Sequence, residues 1–247
     1  MLNESSSKPY YEQIKAYILY QINSGQLSPH DRVPSERSLS ELFGVSRVTV
    51  SKALKELVLD GKLYTQVGKG TFVSEAPIHQ MLEYLTSFSE EMEKRGQSPG
   101  SKVIEALRIT ATEDLAQRLD VPVGVPVIKL KRVRLTNGQP LALETAYLIA
   151  HVCEDILERF DFSKQSLYQV LQTHYNCYLT YADQELEARL ATNEESQMLE
   201  VEPCSPILSM TRVTYGTHEQ PIEYVESAYR GDRYKFRARL RHDQKRE

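Results

Sequence analysis

The chain has 247 residues, 40% of them hydrophobic and 26% charged, with a formal charge of −4; that suffices for two modest domains, and it excludes bulk basicity as an argument for nucleic acid. No run approaches the roughly 20 apolar residues of a membrane span, and the opening MLNESSSK has no apolar signal core, so a cytoplasmic protein with no membrane partner is expected. Cys153, Cys177 and Cys204 form no CxxC pair and the six histidines show no HxxxH spacing, which argues against disulfides, a metal or any other cofactor.

Charge is slightly asymmetric. The first 76 residues hold 9 Lys and Arg against 8 Asp and Glu, and the remainder 21 against 26. Any DNA contact must therefore be argued from placed residues.

Tyr10, Ile14, Tyr17, Ile18 and Ile22 recur at helical spacing before Gly25 and predict a first helix. In VPSERSLSELFGVS, Ser35 is an N-cap for a short helix carrying Leu39, Leu42 and Phe43, and Gly44 supplies a turn. Ser46 caps the next helix, with Val50, Ala53, Leu54, Leu57 and Val58 as its apolar stripe and Gly61 as its stop. Two short helices joined by a glycine turn predict a helix-turn-helix. Its second helix is the candidate reader, because Arg47-Val48-Thr49 places a forked donor and a hydroxyl where such a helix meets base edges and phosphates. LYTQVGKGTFV then reads as two strands around a Gly-Lys-Gly tip, a wing whose glycines permit close approach to a sugar-phosphate backbone and whose Lys69 carries charge. The candidate DNA contacts are Ser35, Arg37, Ser46, Arg47, Thr49, Lys52, Lys69 and Gly70. Arg37, Arg47 or Lys69 alone reads as solvated surface charge. GKGT lacks the GK[ST] half of a phosphate loop.

PYYEQIKAYILYQINSGQL, PSERSLSELFGVSRVTVSKAL and GKGTFV together resemble the DNA-binding domain of the GntR family of bacterial regulators, over residues 8–73. Ser51 departs from the pattern, since many relatives carry arginine there. The resemblance implies double-stranded operator DNA as a partner. The expected division is a winged helix-turn-helix in residues 1–75, a linker in 76–82 and an effector-binding domain in 83–247.

Beyond the linker, strand-like stretches rich in aromatic and β-branched residues predict an α+β domain on an antiparallel sheet. VIKLKRVRL and LALETAYL flank Asn137-Gly138, a hairpin turn signal. ATEDLAQRLDVPVGVPVIKLKRVRL (111–135) aligns without gaps on ATNEESQMLEVEPCSPILSMTRVTY (191–215) with 8 identities in 25 positions, Arg132 on Arg212 among them. QP…ETAY then matches QP…ESAY with a shift of one or two residues. Each copy reads as a Thr-capped helix, a proline loop and a hairpin, so a pseudo-twofold domain is expected.

Arg132 and Arg134 are two apart on one strand and share a face with Ile128 and Leu130. Two guanidinium groups there suit a phosphate or carboxylate. Ser87 and Ser166 open S-x-x-E and S-x-x-Q helix starts, whose free N–H groups favour an anion. A three-residue hairpin loop pairs Thr136 with Pro140 and sets Glu144 opposite Arg132, a two-residue loop turns Glu144 away, and the local residues leave both open.

LTSFSEEMEKRGQSPGSKV, the RVRL…NGQPLALE hairpin, SLYQVL and PIEYVESAYRGDRYKF resemble the effector domain of the HutC branch, called UTRA, which is chorismate-lyase-like in fold; the nearest likeness is to repressors of N-acetylglucosamine use. The resemblance implies that Ser87, Phe88, Ser89, Arg132, Arg134, Ser166 and Tyr168 hold a sugar phosphate. It implies that Glu144, Glu223 and Tyr229 contact the sugar, with Ser89 where threonine is common; this requires Glu144 near the arginines, so the longer hairpin loop is the expectation. The expected function is a homodimeric repressor controlled by a phosphorylated sugar. A non-sugar anion as effector, or a lyase-like enzyme, is the alternative, although no catalytic constellation is found.

Overall fold

The computed structural model describes residues 8–66, 68–74 and 78–240. Helices α1 (Tyr10–Asn23), α2 (Glu36–Phe43) and α3 (Arg47–Leu59) precede the antiparallel pair β1 (Leu63–Gln66) and β2 (Gly70–Val73). Ser35 and Ser46 accept from the N–H groups of Ser38 and Thr49, capping α2 and α3, and Gly44 takes the left-handed conformation between them (φ 65°). Ile14, Ile18, Leu39, Val50, Ala53, Leu54 and Leu57 close into one core with Leu63 and Val73 of the wing. Leu42 stays out of it, 61% exposed.

The second unit begins earlier than its expected boundary. Of the stretch read as linker, residues 76–77 lie outside the described residues, but β3 (Ile78–Met81) pairs in parallel with β10 (Tyr234–Arg237). Ile78 is buried there against Met92 and Tyr234. Only a strand arriving from far along the chain makes this pairing, so no local pattern announced it.

The large sheet has strand order β4 (Pro99–Thr110), β5 (Pro126–Thr136), β6 (Gln139–Ile149), β9 (Pro221–Arg230), β8 (Pro206–Gly216), β7 (Leu179–Leu190), all antiparallel. That order is a palindrome of two β-α-β-β units. Helix α5 (Glu113–Leu119), capped by Thr112, serves the first, and α8 (Asn193–Met198), in a full capping box of Thr192 and Glu195, serves the second. The repeat is thus a pseudo-twofold relation about the β6–β9 seam. The ETAY/ESAY match does not follow it: Glu226 lies across from Thr145, and therefore on the face opposite Glu144.

Helices α5 and α8 cover one face of the sheet. On the other, α6 (Ile156–Arg159) and α7 (Leu167–Tyr175) pack Ile156, Leu167, Val170 and Leu171 on Ile128, Leu130, Ala146, Leu148 and Val225. The short α4 (Phe88–Glu93) contributes Met92 to a neighbouring cluster with Leu141 and Tyr229.

The hairpin differs from expectation. Asn137 and Gly138 (φ 49° and 77°) make a two-residue turn with Thr136 opposite Gln139, not the longer loop. Leu135 then faces Pro140 and Arg134 faces Ala142, so Leu141 is surplus and forms a bulge. Its side chain is fully buried, which rewards the irregularity.

Candidate functional site

The uncovered middle of the α6/α7 face holds a cavity of about 40 Å³. Alternation along β5 sends Arg132 and Arg134 into it from the strand interior, and both are 3% exposed. Because the bulge restores the register, Glu144 stands across from Arg132, and Arg132 Nη2 donates to Glu144 Oε1 at 2.5 Å. Among the described residues Arg134 has no carboxylate partner; its Nη2 donates to Ser89 Oγ at 3.3 Å and its guanidinium lies 4.5 Å from the centre of the Phe88 ring.

Among the described residues, Nε and Nη1 of both arginines are buried without a hydrogen-bond partner. Burial, and then the charge of Arg132, pushes the Arg134 guanidinium down to about 10. Glu144 goes the other way: burial would raise its carboxyl, but Arg132 and Arg134 hold it below the usual range. The site is thus short of negative charge where the two guanidinium forks meet.

Ser87 and Ser166 cap α4 and α7 at the rim and accept from Glu90 N and Gln169 N, at 3.2 and 3.5 Å. On the far side, β9 presents Glu223 and Tyr229. Glu223 is 1% exposed and accepts from Tyr168 Oη at 2.8 Å and Thr214 Oγ1 at 3.3 Å. Burial, with Glu144 as a second negative charge, lifts its carboxyl to about 7. Tyr229 is raised to about 12 by burial and Glu144.

Nine of the ten expected effector residues line this one cavity, and the tenth, Ser89, reaches Arg134 from beside it. The Tyr168 hydroxyl bonds Glu223 and Thr214 in the cavity wall, and burial raises it well above the usual tyrosine range. Sequence reading missed Arg212, which enters the cavity from β8 and which the repeat had already aligned on Arg132. It also missed Gln80 and Tyr234, brought in by the β3–β10 pair.

The expected DNA contacts are spread over the first unit. Arg47 is exposed at the first turn of α3 beside Val48, which is 79% exposed. Arg37 forms an exposed pair with Glu41 at 2.8 Å, and Lys52 lies 3.8 Å over the Tyr11 ring. Thr49 is half-buried and shares its hydroxyl with Ser46 at 2.9 Å. Gly70 has a φ of 120°, which residues with a side chain rarely adopt, and an added Cβ would also push aside the Arg32 guanidinium, 2.8 Å away at Nε. Lys69 Nζ lies 3.2 Å from Glu200 in the second unit. Tyr64 of the wing is buried under the guanidinium groups of Arg230 and Arg233, at 5.5 and 4.9 Å.

Residues 10–73 match the family of bacterial regulatory proteins named gntR, and residues 94–235 match the UTRA domain. The HTH-type transcriptional repressor NagR of Bacillus subtilis is 39% identical over 95% of this chain and 96% of its own. The histidine utilization repressor of Pseudomonas putida is 33% identical over 94% and 92%. The crystal structure of PhnF from Mycobacterium smegmatis superposes with a TM-score of 0.66 at 32% identity, covering 94% of this chain and all of that one.

Proposed function

The chain belongs to the gntR family of bacterial regulatory proteins, as a HutC-type transcriptional repressor with a UTRA effector domain, and from that premise we propose that its operator binding is controlled by a phosphorylated sugar held between Arg132 and Arg134. One observation carries the reading: among the described residues, Nε and Nη1 of both arginines are buried without a hydrogen-bond partner, on side chains that line one cavity. A phosphate supplies several acceptor oxygens in a geometry the forks match. Ser89, and Ser87 and Ser166 at the rim, add hydroxyl and N–H donors.

Glu144, Glu223 and Tyr229 are acceptors and donors for sugar hydroxyls or an amine on the opposite side. The relative named NagR supports an amino sugar within this class. A cavity of about 40 Å³ is far below the roughly 300 Å³ of an ordinary ligand site. A sugar phosphate therefore enters only as the walls part, which ties binding to a change of shape. The relatives it matches bear the names of repressors, and the regulator reading is kept over a lyase-like enzyme.

On the DNA side, α3 is the reading helix, with Arg47 on base edges, and the wing with Lys69 follows the phosphate backbone. The test is a gel-shift titration of the promoter DNA beside the protein's own gene, with and without phosphorylated hexoses, alongside a thermal-shift screen. A ligand at 100 times its dissociation constant adds about 2.7 kcal/mol of stability. If no phosphorylated sugar shifts both melting and operator affinity, the effector reading fails.

A further inference from the structure

Arg212 holds on β8 the place that Arg132 holds on β5. The two are counterparts across the pseudo-twofold relation, face the same side of the sheet, and both line the cavity. Two intervening strands put their backbones about 14 Å apart, so they approach the cavity from opposite sides.

Their partners differ. Arg132 faces Glu144 across its ladder, whereas Arg212 faces Val225 on β9. On its other side Arg212 faces Gln184 of β7, whose Oε1 accepts from both Nε at 2.9 Å and Nη2 at 2.6 Å. A neutral amide fixes the plane of the guanidinium without cancelling its charge. Met210 Sδ gives a third, weak contact at 3.6 Å. The carboxylate of Glu223 accepts from Tyr168 and Thr214, and Tyr168, Tyr229 and Glu223 favour the charged form of Arg212 from the other cavity walls. A guanidinium held in plane by an amide in the wall of a ligand cavity has the features of a recognition group.

We propose that Arg212, positioned by Gln184, is a specificity-determining residue that binds an oxygen acceptor at the end of the effector remote from its phosphate. This rests on the reading of Arg132 and Arg134 as the phosphate anchor. The cavity then recognises two separated features, and a bare phosphate satisfies only one.

Calorimetric titration of the full chain with inorganic phosphate and with glucosamine 6-phosphate tests it. Arg212→Gln is expected to bind inorganic phosphate within twofold of the wild type and to lose tenfold or more in affinity for the sugar phosphate. Gln184→Ala, which keeps Arg212 but frees its plane, is expected to lose several-fold on the sugar phosphate alone. Arg134→Gln weakens both ligands. If Arg212→Gln and Gln184→Ala leave the sugar phosphate unaffected, or weaken both ligands equally, the role of Arg212 is overturned while the phosphate anchor stands. A wild-type chain that binds neither ligand overturns the anchor and this proposal together.

Discussion

Arg132 and Glu144 face each other across the β5–β6 ladder only because Leu141 is an extra residue between them and the turn. Without that bulge the two-residue turn would set Leu143 opposite Arg132 and send Glu144 to the other face of the sheet. The pair in the cavity wall therefore depends on a buried leucine between it and the turn.

Removing one member of this pair strands the other in a buried site, at a cost of about 3–5 kcal/mol. Arg132→Ala is expected to lower unfolding stability by about that much and to abolish the response to sugar phosphate. Replacing both residues by methionine is expected to recover most of the stability and none of the response. Urea unfolding, with and without ligand, separates these effects. Equal stability in the single and double variants would refute the pairing as the energetic link.

Glu223 gives the protein a pH signature. Its folded-state value is raised to about 7 by burial and Glu144, so the folded state holds a proton that the unfolded chain releases near pH 4.5. Stability from this group is complete below that point and lost as pH rises towards 7, to about 3 kcal/mol in all. Glu223→Gln should flatten the stability profile between pH 4.5 and 7 and leave the variant more stable than wild type at pH 8. Glu144, held low by the arginines, acts only below this window. Parallel profiles for the two proteins would contradict the assignment.

Arg47→Ala is expected to weaken operator binding by about 1–3 kcal/mol, the worth of a bidentate base contact. Lys69→Ala should weaken every sequence alike and lower the salt slope by about 1. Because Lys69 also meets Glu200, Glu200→Ala should raise non-specific DNA affinity slightly at low salt, and the gain should vanish as salt rises. An Arg47→Ala protein with unchanged operator affinity would remove α3 as the reader.

One small winged head reads too few base pairs for genomic specificity, so the functional unit is expected to be a homodimer on a pseudo-palindrome. Light scattering at micromolar concentration, with and without DNA, measures this. A monomer under both conditions rules it out.

The sequence alone was enough for the helix-turn-helix, because its signals are short-range. Ser35, Gly44 and Ser46 act on atoms within four residues of themselves, and the apolar stripes follow the helical period. It was enough for the two halves of the sheet, since the repeat recurs without gaps through helix, loop and strand. It also placed Arg132 and Arg134 on one face, which strand alternation alone requires. The Glu144 pairing was reached for the wrong local reason. A two-residue turn plus a bulge gives the same register as a longer loop, and only the burial of Leu141 in a cluster drawn from distant strands chose between them. Arg212, Gln80 and Tyr234 joined the cavity through the pseudo-twofold seam and the β3–β10 pairing, which link residues more than 70 positions apart. Such pairings are selected by the total burial of the folded chain, and no window of sequence contains both sides of the contact.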